Sequence, residues 1–80
     1  MAAAPRRPLN PLLLRQLNRS GQTKQSVAFA AGFPNYPEFY QTLRAERVPA
    51  TPLTISRLER VADAIGFPRE DIFLDEVASR

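Results

Sequence analysis

The segment Thr23-Lys-Gln-Ser-Val27-Ala28-Phe-Ala-Ala-Gly32-Phe33 decides the fold of this chain. Thr23 is a helix-capping residue, and a helix that begins after it can end at Gly32. Ala28 lies four residues before the glycine and leaves room for a second helix to cross closely. Glycine at the turn permits the positive φ that such a tight connection requires. The spacing therefore predicts two helices joined by a short turn, a helix-turn-helix.

Outside this segment, prolines, glycines and capping residues divide the chain at helical rather than strand intervals. No stretch of six residues alternates apolar and polar side chains with enrichment in β-branched residues, so strands are not expected. The pattern predicts an all-α fold, a compact bundle of five short helices in which helices 2 and 3 form the helix-turn-helix. The five helices are expected over residues 10–20, 24–31, 35 or 36 to about 46, 51 or 54 to 65, and 68–73.

Charge is distributed unevenly along the 80 residues. Residues 1–37 carry five basic side chains and no acidic one, whereas residues 38–80 carry six basic and eight acidic side chains. This asymmetry indicates a positive face that meets a polyanion, and an accidental imbalance on a solvated surface explains it equally well. We expect a flexible basic arm over residues 1–9, a globular domain over residues 10–74 and an acidic tail over residues 75–80.

Composition excludes several chemistries. Without cysteine or histidine the chain cannot form disulfides or the common zinc and iron–sulfur sites, and it has no imidazole base. It has no phosphate-binding glycine loop, and no hydroxyl or amine has a recognisable base partner. We therefore expect no catalytic residue, no metal, no cofactor and no enzyme. The longest apolar runs, Leu12–Leu14 and Val27–Ala31, are too short to span a membrane, and no secretory signal is evident, which predicts a cytoplasmic protein.

Two parts of the chain carry apolar and small residues at the spacing of a known family. The segment Thr23–Phe33 is similar to the pattern Ser/Thr-Gln-x-x-Leu-Ala-x-x-x-Gly-Val. The segment Ile55-Ser-Arg-Leu-Glu-Arg-Val-Ala-Asp-Ala-Ile-Gly-Phe67, followed by Ile72-Phe73, is similar to Leu-x-x-Leu-x-x-Ala-x-x-Leu-Gly-Val and a later Leu-Phe. Over residues 9–74 the chain thus resembles the lambda-repressor-like (Xre/Cro-type) helix-turn-helix family. The resemblance implies a five-helix bundle whose third helix lies in the DNA major groove.

Three departures separate this chain from the family pattern. Lys24 stands where the family has glutamine, and Gln25 follows one position later. The recognition segment carries two prolines, Pro34 and Pro37, and its apolar residues fit only when the turn is one residue longer than usual. The connection to the fourth helix is also longer. The fold therefore carries over better than individual DNA contacts.

The resemblance implies base contacts from the outward face of the third helix, where Asn35, Glu38, Tyr40, Gln41 and Arg44 are expected. Asparagine and glutamine can bond adenine, and arginine can bond guanine. Lys24 lies in the first turn of the second helix, where backbone N–H groups favour a phosphate. The candidate DNA-binding residues are Arg6, Arg7, Lys24, Gln25, Asn35, Tyr36, Tyr40, Gln41, Arg44 and Arg47.

Purely structural roles stay open for several of these residues. Asn35 can serve as an N-cap, and arginines at the end of the third helix suit its dipole. Tyr36 and Tyr40 share the helical stripe of the apolar residues, so at least one is expected in the core. Arginines in the arm can reach a minor groove, although most basic termini make no such contact. Arg57 and Arg60 alternate with acids and predict a solvated face.

The function expected from these features is sequence-specific binding of double-stranded DNA. The resemblance implies a bacterial or phage transcriptional regulator, such as a repressor, that acts as a homodimer. The alternative is a protein-interaction adaptor, or an antitoxin-like module, that uses the same scaffold to bind a protein partner. The turn Phe33–Pro37 separates the two, because a displaced third helix could not enter the groove.

Overall fold

The computed structural model describes residues 5–78 of the chain. Within these residues no helix has the length and apolar character needed to cross a membrane. The elements in chain order are β1 (Arg6–Pro8), α1 (Leu12–Arg19), α2 (Lys24–Ala30), α3 (Tyr36–Arg44), β2 (Arg47–Pro49), α4 (Pro52–Ile65), a 3-10 turn (Arg69–Asp71) and α5 (Leu74–Ala78).

Side-chain caps fix the starts of three helices, as the sequence predicts. Thr23, Asn35 and Thr51 precede α2, α3 and α4, and each accepts a hydrogen bond from the backbone N–H three residues later, at 3.2, 2.8 and 3.2 Å. Such caps satisfy backbone donors that the helix itself leaves without a partner. Before α1, the Oδ1 atom of Asn10 accepts from the backbone N–H of Leu12 at 3.1 Å. Local hydrogen bonding therefore sets where these helices begin.

The connection between α2 and α3 has the predicted glycine geometry. Gly32 adopts a φ of 85°, in the left-handed region that favours glycine. The N–H of Phe33 then donates to the carbonyl of Ala28 at 3.1 Å, which closes the end of α2. Phe33 packs edge-to-face against Phe39 of α3, with ring centroids 5.1 Å apart. The turn thus joins the two helices and seats an aromatic residue between them.

One apolar core unites the helices. Helix α2 packs against both α3 and α4, and α1 also contacts α3 and α4. Phe39 is the largest fully buried side chain. The main buried residues are Leu9, Leu13, Leu17, Val27, Ala28, Ala31, Phe39, Leu43, Val48, Leu58, Val61, Ala62, Ile65, Ile72 and Phe73. Within residues 5–78 the fold is mostly helical with five α-helices, as expected.

The expectation of a fold without strands is wrong. Strands β1 and β2 form a two-stranded antiparallel sheet, here called the ribbon, in which Arg7 pairs with Val48. Beyond the strands, the N–H of Ala50 donates to the carbonyl of Pro5 at 2.7 Å. Three residues are too few to show an alternating pattern, and each strand ends in a proline that lacks a donor. Helix α3 ends at Arg44, earlier than predicted, because the residues that follow lead into β2.

The structure also corrects the expected termini. Residues 6–9 are not a flexible arm, because β1 is paired and Leu9, only 3% exposed, bridges to Phe73. The predicted fifth helix over residues 68–73 is a 3-10 turn, and α5 begins only at Leu74, because Phe73 pairs with Leu9. The start of the expected acidic tail therefore lies in α5. Residues 1–4 of the arm and 79–80 of the tail lie outside the described part.

Candidate nucleic-acid interface

Helix α3 has a buried face and an exposed face. Phe39 and Leu43 are buried in the core. Gln41 and Arg44 are exposed, and helical geometry places them on the side away from these two apolar residues. Pro37 is also exposed, and it lies in the first turn, where its missing N–H removes no helical hydrogen bond. The two prolines therefore do not prevent α3 from presenting a polar outer surface.

A cluster of two cations and two aromatic rings joins α2 to α3. The Nζ of Lys24 lies 5.6 Å from the centroid of the Tyr40 ring, and the Arg44 guanidinium carbon lies 5.2 Å from it. Tyr36 stacks on Tyr40, with centroids 5.9 Å apart and ring planes 20° from parallel. We call Lys24, Tyr36, Tyr40 and Arg44 the Tyr40 cluster. Its rings hold the cations without neutralising their charge.

The charges of the Tyr40 cluster are available to an anionic ligand. Among residues 5–78, Lys24 and Arg44 form no salt bridge with an acidic side chain.

Tyr36 and Tyr40 are both half-buried, so neither is the core residue that the helical stripe predicts, and Phe39 takes that place. The Tyr40 ring thus supports the two basic side chains.

Asn35 and Gln25 lie on a second surface, beside the Gly32 turn. The carbonyl oxygen of the Asn35 side chain is already used to cap α3, so the structural role proposed for this residue is present. Gln25 is exposed and shares a shallow groove with Phe29, Pro34 and Asn35. Phe29 is 87% exposed, which the sequence analysis did not single out. Phe29 lies on the side of α2 opposite the buried Val27, and this helical spacing is the sequence signal that predicts its exposure.

Arg6, Gln41 and Arg47 come together elsewhere, in a groove between α3, the ribbon and α4. Glu38 of α3 and Arg57 of α4 complete its charged lining. We call this the ribbon groove. It meets the exposed face of α3 at Gln41, which borders both surfaces.

Arg57 is a lining residue that the sequence analysis placed on a solvated face. Its side chain is only 21% exposed, and its guanidinium carbon lies 5.3 Å from the centroid of the Phe33 ring. Arg60, by contrast, is exposed as expected. The signal in the sequence is the helical spacing, because Arg57 lies four residues before the buried Val61 and next to Leu58. The alternation of Arg57 and Arg60 with acidic residues favoured the interpretation of a solvated face instead.

Arg7, one of the predicted DNA-binding residues, is paired with acidic side chains instead. Its guanidinium donates to both carboxylate oxygens of Asp75, at 2.8 and 3.0 Å, and to Glu76 at 2.8 Å. It also lies over the Phe73 ring, 4.0 Å from the centroid. These hydrogen bonds lower the pKa of Asp75 below its usual value. We call these four residues the Arg7 cluster, which joins β1 to α5.

Other acids are held by arginine in the same way. Arg69 forms two hydrogen bonds with Asp63, at 2.6 and 3.0 Å, and these lower the pKa of the Asp63 carboxyl. Glu59 lies 3.9 Å from the same guanidinium.

In the part of the chain that the structure describes, no group of three or more acidic side chains could hold a metal ion.

No family model, curated protein or solved structure matches this chain. The surface chemistry of α2, α3 and the ribbon therefore carries the functional conclusion.

Proposed function

We propose that the chain binds double-stranded DNA sequence-specifically through α2 and α3, which act as a helix-turn-helix, and regulates transcription. One observation carries this proposal: the exposed face of α3 carries Gln41 together with Arg44, which, like Lys24, forms no salt bridge within the described residues. Side chains that read bases and side chains that attract phosphates are thus combined on one surface.

The dimensions of α3 suit the major groove. Nine residues make a helix about 13–14 Å long, and a B-DNA major groove about 12 Å wide admits an α-helix. The glycine turn holds α2 against α3, so the start of α2 approaches the DNA backbone when α3 enters the groove. Backbone N–H groups at that start, together with Lys24, favour a phosphate there.

The side chains of this surface divide into those that recognise bases and those that contact phosphates. Gln41 can form paired hydrogen bonds with adenine, and Arg44 can do so with guanine. Lys24 contacts a phosphate and carries no sequence information. The amide nitrogen of Asn35 remains available after its oxygen has capped α3.

Two copies of the chain are expected on one operator, as the family resemblance implies. A homodimer related by a two-fold axis reads an inverted repeat, with half-sites about 10 base pairs apart. Such a protein blocks or recruits the transcription machinery at that site.

Selection of a preferred site from random duplex DNA, followed by anisotropy titration, tests the proposal. Gln41→Ala is expected to cost about 1–3 kcal/mol on the preferred site and almost nothing on random DNA. Arg15→Gln, an exposed change on α1, is the matched control and should alter both affinities little. Equal losses on the two DNAs for Gln41→Ala would show that another face of α3 enters the groove.

A second function, docking of a protein partner, is favoured by one specific observation. Phe29 is 87% exposed and Leu53 is 59% exposed, which is unusual for large apolar side chains. An adaptor or antitoxin-like module would use them and would not bind DNA. Absence of binding to any duplex at about 50 mM salt, where phosphate contacts are strong, would favour this function.

A further inference from the structure

We propose that the ribbon groove is a phosphate-binding site in which Arg6, Arg47 and Arg57 surround one phosphate group. This site is separate from the Tyr40 cluster, and it does not depend on the binding of DNA by α3.

The register of the ribbon turns two of these arginines away from the core. Arg7 pairs with Val48, which is buried, and this pair faces the core and α5. Side chains alternate along a strand, so Arg6 and Arg47, each one position away, face the opposite side. Both are exposed, and both line the ribbon groove, as does the buried Val48. The ribbon thus separates a structural arginine on one face from two ligand-accessible arginines on the other.

Arg57 supplies a donor that the protein itself does not satisfy. Its Nε is buried and has no hydrogen-bond partner among residues 5–78. Glu38 approaches the guanidinium, but the distance of 3.9 Å to Nη1 is too long for a hydrogen bond. A buried donor without an acceptor costs free energy, and a shift of the side chain that brings this N–H to a ligand oxygen in the groove would recover it.

The charge balance of the groove favours a phosphate over a carboxylate. Three guanidinium groups from β1, β2 and α4 face the single carboxylate of Glu38. A carboxylate has two coplanar oxygens and suits one arginine fork, whereas a phosphate offers more oxygens, in several directions. Arginines on three different elements therefore match a tetrahedral anion.

The phosphate can come from two sources. Gln41 borders both the groove and the exposed face of α3, so a strand of DNA lying on α3 would bring a backbone phosphate close to the groove. A small molecule with a free phosphate group could enter the same groove without DNA. The chemistry of recognition is the same in both cases.

Titration of the full-length ¹⁵N-labelled protein with inorganic phosphate, followed by NMR, tests the site. At matched ionic strength against chloride, phosphate should cause saturable shifts of the Arg57 side-chain Nε–H and of the residue 47 amide. Arg47→Gln should weaken phosphate binding about tenfold, which corresponds to about 1.4 kcal/mol, whereas Arg15→Gln should not. Arg47 is exposed, so this variant remains informative even if Arg57→Gln fails to fold. Shifts equal to those in chloride, with identical Arg47→Gln and Arg15→Gln titrations, would overturn the proposal.

DNA duplexes with a neutral methylphosphonate at one position distinguish the two sources. If the groove holds a backbone phosphate, one such position should abolish the affinity difference between wild type and Arg47→Gln. If Arg47→Gln binds DNA like Arg15→Gln while phosphate still saturates the groove, the ligand is a free phosphate-bearing molecule. Saturation by phosphate in a protein that binds no DNA would contradict only the function proposed above for α3, and the site would stand.

Discussion

The Arg7 cluster and the Tyr40 cluster both hold cations against aromatic rings, but among residues 5–78 acidic side chains pair only with the first. Arg7 lies over Phe73 and is hydrogen-bonded to Asp75 and Glu76. Lys24 and Arg44 lie near the Tyr40 ring, with no acid to neutralise them within the described residues. The same residue types therefore stabilise the fold in one place and remain available for a ligand in the other. Charge pairing, rather than charge itself, distinguishes the two roles.

The largest effect expected from this difference is the salt dependence of DNA binding. If each monomer engages about 4–6 phosphates through its unpaired cations, the log–log slope against salt should be roughly −4 to −5. Raising the salt from about 50 to about 200 mM should then weaken binding about 250- to 1,000-fold. Anisotropy titrations at several salt concentrations measure the slope. A slope near zero would contradict the proposed role of the Tyr40 cluster.

The next effect concerns the turn that holds the Tyr40 cluster together. Gly32→Val should destabilise the fold by about 1–3 kcal/mol, because valine at a φ of 85° is strained. A Cβ at this position would also lie 3.3 Å from the flexible Arg60 Nη1. Urea unfolding measures the loss, and Ala30→Val, at an exposed position at the end of α2, is the control. Equal unfolding curves for the two variants would show that the turn does not need glycine.

Features that depend on nearby residues could be predicted from the sequence, whereas those that depend on distant ones could not. The caps at Thr23 and Asn35 and the turn at Gly32 act within a few residues, and they were located correctly. The ribbon escaped detection because its strands are short and pair across about forty residues of chain. Arg7 was assigned to a flexible arm because Asp75 lies 68 residues away in the sequence. Pairing at that distance leaves no local pattern.

A smaller effect is expected at the Arg7 cluster, and it depends on pH. Arg7 lowers the pKa of Asp75 in the folded state, so its stabilisation is present above the unfolded pKa of about 3.9. That contribution is lost as the pH falls through the folded pKa. Arg7→Gln should therefore lower Tm at pH 7, and its Tm should approach that of the wild type in acid. Thermal unfolding at several pH values measures this, and a pH-independent difference would contradict it.

The smallest effect separates the two clusters most directly. Lys24→Ala should leave the free energy of unfolding within about 0.5 kcal/mol of the wild type, because Lys24 pairs with no acid in the described part of the chain. It should weaken preferred and random DNA about equally, by about three- to tenfold, and reduce the salt slope by about 1. Arg7→Gln is the matched control, since it removes one positive charge but should affect stability rather than DNA affinity. Unfolding and anisotropy measurements on both variants therefore form a crossed test. A change in Tm for Lys24→Ala as large as that for Arg7→Gln would show that the Tyr40 cluster is structural after all.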